Sequence, residues 1–389
     1  MRIVELGTML SAPFSGTLLA DHGAEVIKIE LPTVGDPLRK VGLQKNGSAL
    51  TWKMISRNKR LITLDVRVPR GRELLCGLLE HANGLIENFR PGTMERWGLA
   101  PDDLRKKRPE LVVLRVSGFG QTGPNSARPG FGTLAEALSG FAYINGWPDK
   151  PPALPPFGLA DALSGFIGAF GMLAAIRAAQ VTGRGQDVDL ALYEAIMMAL
   201  GSPIIEYDQL GVVQERSGNR VPSTAPRNAY ATGDQKWVVL SGATQNVFNR
   251  LMDAIGRPEL VQDPRFSDNR DRVINSVALD EYIQDWVSQL TLTQVLAKLE
   301  QHSVPAAPIY SAADIVADQH MIERGSIVAV DDPDLGPLRM QAPIPQLSAT
   351  PARVRFTGGE LGCDNEAVFK ELLGLSDREL DQLRSDKVI

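Results

Sequence analysis

Asp161 stands in Phe157-Gly158-Leu159-Ala160-Asp161-Ala162-Leu163-Ser164-Gly165, among small and apolar neighbours. A carboxylate in such a setting costs free energy unless it is capped, paired or used. Two compatible readings follow. As a helix N-cap, its oxygen accepts backbone N–H bonds. As a nucleophile at a helix N-terminus, it stays ionised and can attack an acyl carbon.

Three further groups carry chemistry. The stretch Glu87-Asn88-Phe89-Arg90-Pro91-Gly92-Thr93-Met94-Glu95-Arg96-Trp97-Gly98-Leu99 follows a predicted strand. Open α/β sheets bind ligands at that carboxyl end. Asn88 and Arg96 offer donors there, and Phe89 and Trp97 offer flat faces. The alternative is a solvated loop whose aromatics pack into the core. Arg57-Asn58-Lys59-Arg60 is a cationic run that suits phosphate or makes a solvated turn. Arg216, Arg220 and Arg227, beside Asn219 and Asn228, make a carboxylate clamp or an interface segment.

Other chemistries find no support. Gly118-Phe119-Gly120-Gln121-Thr122-Gly123 matches a dinucleotide fingerprint, but Pro124 and Pro129 follow where a helix must open. There is no GxxxxGK[ST] loop and no GxSxG elbow. The histidines, His22, His81, His302 and His320, lie far apart, so no metal site is expected. Cys76 and Cys363 form no CxxC pair. The net charge of -5, with cations and acids interspersed, argues against nucleic acid as a partner. The apolar stretch from Leu154 to Ala179 is broken by Asp161 and Arg177 and reads as a buried helix, not a membrane span. With Arg2 to Leu6 already strand-like, no signal peptide is expected, and the predicted location is cytoplasmic.

The elements that must position these groups alternate. Strands are predicted at Ile3–Leu6, Glu25–Glu30, Leu61–Val66, Gly84–Glu87, Leu111–Val116 and Asp187–Leu192. Helices fall near 13–23, 69–80, 101–107 and 161–179. This spacing specifies an α/β fold with a doubly wound parallel sheet. The region from Ser117 to Gly158 is rich in Gly and Pro and reads as a long functional loop. A second domain is predicted to start near Asn228.

Taken together, these segments resemble the class III CoA-transferases, the CaiB/BaiF-type family of formyl-CoA transferase and carnitine CoA-transferase. The resemblance is strongest at Ala24–Glu30, Arg57–Arg60, Glu87–Gly92, Pro156–Asp161 and Thr182–Gln186. It implies a Rossmann-like large domain, a smaller α+β domain, and ring-like subunits threaded into an interlocked homodimer. The expected division is a large domain over 1–200, a linker over 201–227, a small domain over 228–310, and a return linker with the remaining large-domain part over 311–389.

The resemblance also implies roles. Asp161 is similar to the family's acyl-accepting aspartate. Met9, Asn88, Phe89, Thr93 and Arg96 match coenzyme A contacts, and Arg57 and Lys59 are expected beside its phosphates. Coenzyme A is a substrate here, and no permanently bound cofactor is implied. Leu10, Arg128, Phe131, Arg220 and Arg227 are expected around the acid. The family's active-site glutamine falls at Leu10, its glycine loop at Asn219–Ala225, and its central lysine and tyrosine at Pro129 and Phe131. Oxalate and formate are therefore poor substrates to expect. The related α-methylacyl-CoA racemases pair the aspartate with a histidine that falls near Phe131, and no histidine lies between His81 and His302. Transfer is the better reading, with a non-catalytic CoA-binding protein as a further alternative. The three arginines suggest a second carboxylate, hence succinyl-CoA as donor and a small dicarboxylic or hydroxy acid as acceptor.

Overall fold

The computed structural model describes all residues from Met1 to Ile389. Six parallel strands form the central sheet: β1 (Arg2–Glu5), β2 (Glu25–Glu30), β3 (Lys59–Thr63), β4 (Gly84–Glu87), β5 (Val112–Ser117) and β6 (Asp187–Ala191). Their order is β3-β2-β1-β4-β5-β6. Strand side chains alternate between the two faces, so each face carries its own apolar core. Val4, Ile27, Ile62, Leu85 and Val113 point to one side. There they meet helices α2 (Pro69–Glu80) and α4 (Pro101–Lys107) and two helices near the end of the chain. Ile3, Val26, Ile86, Val112 and Leu114 point to the other side, against α1 (Ser11–Asp21) and α6 (Leu159–Thr182).

Small residues let α1 and α6 approach closely. A β-carbon on Gly165 would lie 2.5 Å from the Phe14 ring, and one on Gly168 would lie 2.5 Å from Ser15 Oγ. The Ser15 hydroxyl donates to Gly165 O at 3.0 Å. The amino ends of both helices thereby reach the same edge of the sheet. The short helix α3 (Thr93–Arg96) follows β4, and α5 (Gly132–Leu138) lies within the long loop after β5. That loop was expected to lack regular structure. It contains α5 and a further turn of helix at Phe141–Ile144. Helix α7 (Leu192–Ala199) follows β6.

The chain divides into two compact units. One comprises residues 1–141, 154–211 and 320–389, and the other 142–153 and 212–319. The first therefore gathers both ends of the chain, while residues 142–153, expected in the large domain, belong to the second. In the second unit β7 (Arg227–Ala231), β8 (Trp237–Ser241) and β9 (Ala306–Pro308) form an antiparallel sheet. Its buried side packs Tyr230, Val238 and Leu240 onto helices through Phe248, Leu251, Ile283 and Leu299.

Candidate active site

Asp161 is the third residue of α6, three places past the cap, because Gly158 holds the N-cap position. The cap expectation is thus corrected. The acceptor for the first amides of α6 comes from α5. Glu136 Oε1 receives Leu159 N–H at 3.1 Å and Ala160 N–H at 3.5 Å. Glu136 is only 3% exposed, so a second carboxylate is sealed in beside Asp161. Burial first, then the negative charge of Glu136, push the Asp161 carboxyl up to about 6, against a pull downward from the Ser11 hydroxyl.

The Asp161 carboxylate lines a cavity of about 450 Å³. Its walls are the turn Thr8–Ser11, the strand end Val116–Gly118, the segment Gly130–Thr133 and the segment Leu154–Gly158. Two glycines clear space around one carboxylate oxygen. A β-carbon on Gly132 would fall 2.6 Å from Asp161 Oδ2, and one on Gly158 would fall 3.0 Å from it. Only hydrogen-sized side chains leave that oxygen open to an incoming carbon. A half-buried carboxylate held near neutral affinity for protons, lining a cavity with two glycines against one of its oxygens, has the chemistry of a nucleophile.

A second cavity of about 300 Å³ adjoins the same turn and shares Thr8 with the first. Phe89 and Trp97, packed edge to face with ring centres 5.0 Å apart, form part of its wall. Arg67 stands on its rim with half its side chain exposed, bound to Asp65 at 2.8 Å. Aromatic faces beside a cation suit a nucleotide base and its phosphates.

Comparison with known proteins decides the lineage. Residues 1–365 match the model of CoA-transferase family III. The chain belongs to that family. It is 43% identical over 390 residues to the succinyl-CoA–D-citramalate CoA-transferase of Chloroflexus aurantiacus, covering 100% of this chain and 97% of that one. It is 42% identical over 393 residues to the beta subunit of the succinyl-CoA–L-malate CoA-transferase of the same organism, with the same coverage of 100% and 97%. Among solved structures, a CaiB/BaiF family protein from Brucella suis superposes with a TM-score of 0.84 at 30% identity, covering 96% of this chain and 98% of that one. The protein is a family III CoA-transferase, an enzyme that uses CoA thioesters as substrates.

Several expected contacts turn out otherwise within this family III fold. Arg57 and Lys59 are 5% and 1% exposed and fully occupied, so neither meets phosphate. Arg57 grips Asp21 at 2.6 Å and donates to Gln341 O. Lys59 Nζ binds Glu5 at 2.9 Å and Pro13 O at 2.6 Å. Asn88 lines the first cavity, but its amide is spent on Thr8, accepting from N–H at 2.9 Å and donating to O at 2.8 Å. Its second amide hydrogen faces Ser11 Oγ at 3.4 Å, so its role in the wall is to hold the turn at Thr8. Arg96 is exposed and bonds to Thr93 Oγ1 at 2.8 Å.

Met9, Leu10 and Phe131 all reach the Asp161 cavity. Arg128 is exposed on the loop and is absent from that cavity's lining. Arg220 and Arg227 belong to the second unit. There Arg220 is neutralised by Asp280 at 2.6 Å, and Arg227 donates to Asn219 O at 3.0 Å. Glu136, Ser11 and Arg67 were not foreseen. Glu136 carried a usable signal, since it is a single acid in the otherwise apolar run Leu134-Ala135-Glu136-Ala137-Leu138.

Proposed function

We propose that this transferase moves CoA from succinyl-CoA to a small hydroxy-dicarboxylic acid, with Asp161 as the covalent nucleophile. The observation that carries this reading is the Asp161 carboxylate lining a cavity in which Gly132 and Gly158 bring no side chain against its Oδ2. The relatives named for citramalate and malate support the choice of substrates.

In the first step, Asp161 Oδ2 forms a bond to the thioester carbonyl carbon. The carbon–sulfur bond breaks, and CoA thiolate leaves with the electron pair. The thiolate then attacks the aspartyl carbonyl of the mixed anhydride, expels the donor carboxylate and leaves an aspartyl thioester. An acceptor carboxylate oxygen attacks that thioester and frees the thiolate again. The thiolate takes the acceptor's acyl carbon and restores the Asp161 carboxylate. Each step exchanges acyl bonds of similar energy, so one difficult exchange becomes several easier ones. Water must be kept from both acyl states.

Under this reading the nucleotide end of CoA lies in the cavity of Phe89, Trp97 and Arg67, and the pantetheine arm passes Thr8 toward Asp161. The active form is a pair of interlocked copies. The exposed apolar face of α6, with Phe166 and Phe170 at 43% and 73% exposure, supports pairing, since monomers rarely expose such contiguous faces. The working location is the cytoplasm, where CoA thioesters circulate.

The test is a donor and acceptor screen on the wild type and Asp161→Ala, read by mass. Asp161→Ala keeps the fold and loses transfer by roughly ten-thousandfold. Borohydride or hydroxylamine added with succinyl-CoA marks Asp161 in the wild type. A variant that still exchanges CoA at a comparable rate sinks the proposal.

A further inference from the structure

The turn that separates the two cavities is not held by its own sequence. Met9 sits at a φ of 66°, a left-handed conformation that costs a residue with a side chain about 1 kcal/mol or more. Its N–H donates to Asp36 Oδ1 at 3.1 Å. The same oxygen receives Leu38 N–H at 2.9 Å. The other oxygen of Asp36 accepts from Lys28 Nζ at 2.7 Å, and Lys28 also donates to Gly7 O. Asp36 is 2% exposed and Lys28 0%. From the opposite side, Asn88 clamps Thr8 through both its amide atoms. Gly7, Thr8 and Met9 are thus each tied to a side chain from another part of the chain.

This matters because Thr8, Met9, Leu10 and Ser11 form one wall of the Asp161 cavity, and Thr8 also borders the cavity of Phe89 and Trp97. A Met9 relaxed to negative φ redirects the chain between β1 and α1 and alters both walls together. We propose that Asp36, pinned by Lys28, is a positioning residue for the acyl-CoA half of the reaction. It holds Met9 left-handed, and so keeps the Thr8–Ser11 wall in the shape over which the thioester arm passes. The inference rests on the reading of the Asp161 cavity as the thioester site. Asp36 also caps the short 3-10 helix at Pro37–Lys40, and a residue serving only that turn would affect stability alone.

The experiment is a kinetic double-mutant cycle on the full chain. Asp36→Asn keeps the shape and an oxygen acceptor but removes the charge that Lys28 pins. It raises KM for acyl-CoA about tenfold, while KM for the acceptor acid changes less than twofold. Glycine adopts positive φ without help, so in a Met9→Gly background the same Asp36→Asn change raises KM for acyl-CoA less than threefold. An equal effect in both backgrounds, or equal shifts of both KM values, overturns the inference. If Asp36→Asn does not fold, Met9→Val and Met9→Asn decide the matter. Asparagine tolerates the left-handed region and valine does not, so valine alone raises KM for acyl-CoA, and equal constants for the two overturn the proposal. An active Asp161→Ala sinks the thioester-site reading itself, whereas an inactive Asp161→Ala with a background-independent Asp36→Asn sinks only this inference.

Discussion

Two groups of buried charge flank the start of α1, and they are built on opposite plans. Beneath the helix, Glu5 and Asp36 face Lys28 and Lys59, two acids against two cations, all at most 2% exposed. Burial pulls Lys28 down, yet Glu5 and Asp36 outweigh it and leave that ammonium raised. Lys59, whose burial is reinforced by the nearby charge of Lys28, is held down to about 8. In front of the helix, Glu136 and Asp161 have no cation in their cavity's lining. The balanced group has its lone pairs and protons spent on one another and on backbone. The unbalanced group keeps one carboxylate oxygen unspent. Charge that is satisfied fixes shape, and charge that is left over does chemistry.

That contrast can be broken or sharpened by substitution. Gly132→Ala has the largest expected effect after loss of Asp161 itself. Its methyl group occupies space 2.6 Å from Asp161 Oδ2, and kcat/KM falls roughly a hundredfold with little change in thermal stability. Normal turnover in this variant would show that the open oxygen is not the attacking atom. Lys59→Met strikes the balanced group. It leaves Glu5 with Lys28 alone, and stability drops by about 3 kcal/mol in urea unfolding, while kcat per folded molecule changes less than twofold.

Glu136→Gln removes the like charge but keeps an oxygen for the amides of α6. The proton affinity of Asp161, pushed up to about 6 in the wild type, falls, so the acidic limb expected in the kcat/KM profile moves to lower pH. The rate at pH 8 declines roughly three- to tenfold as the carboxylate loses basicity. An unmoved limb would mean that Glu136 does not act on Asp161 through charge.

The smallest effect is on stability. The folded chain holds Asp161 near 6, above the ordinary 3.8, so folding favours its protonated form. That contribution is present at low pH and is lost as pH rises from about 4 to about 6. Asp161→Asn therefore melts higher than the wild type above pH 6, by about 2 °C for each ~1 kcal/mol relieved, and gains nothing below pH 4. A variant that melts lower at pH 8 contradicts the strain assigned to this carboxylate.

Much of the fold was legible because apolar periodicity is local. The predicted strands at 25–30 and 84–87 and helices at 69–80 and 101–107 coincide with the observed ones. Asp161 was legible for the same reason, as a charge in an apolar frame. The failures share a cause of another kind. Arg57 and Lys59 carry the composition of an exposed basic turn, and only Asp21 and Glu5, far away in sequence, turn them into buried structural cations. Asn88 looked like a free donor because its partner, Thr8, lies 80 residues away. Glu136 stood out as a lone acid in an apolar run, but the glycines and prolines around it made α5 look like loop.

The division of the chain into interleaved segments has a consequence for biosynthesis. Leu380, Leu383, Val388 and Ile389 share one apolar core with Val4, Ile27 and Ile62, and Asp65 N–H bonds to Val388 O at 2.8 Å. A nascent chain emerging from the ribosome cannot close that core until residues 368–389 have followed the strands out. Residues 230–306, which supply every apolar side chain of one separate core, can condense during the wait. Translation thus lets an apolar cluster in the middle of the chain form while the main sheet still waits for its last core residues.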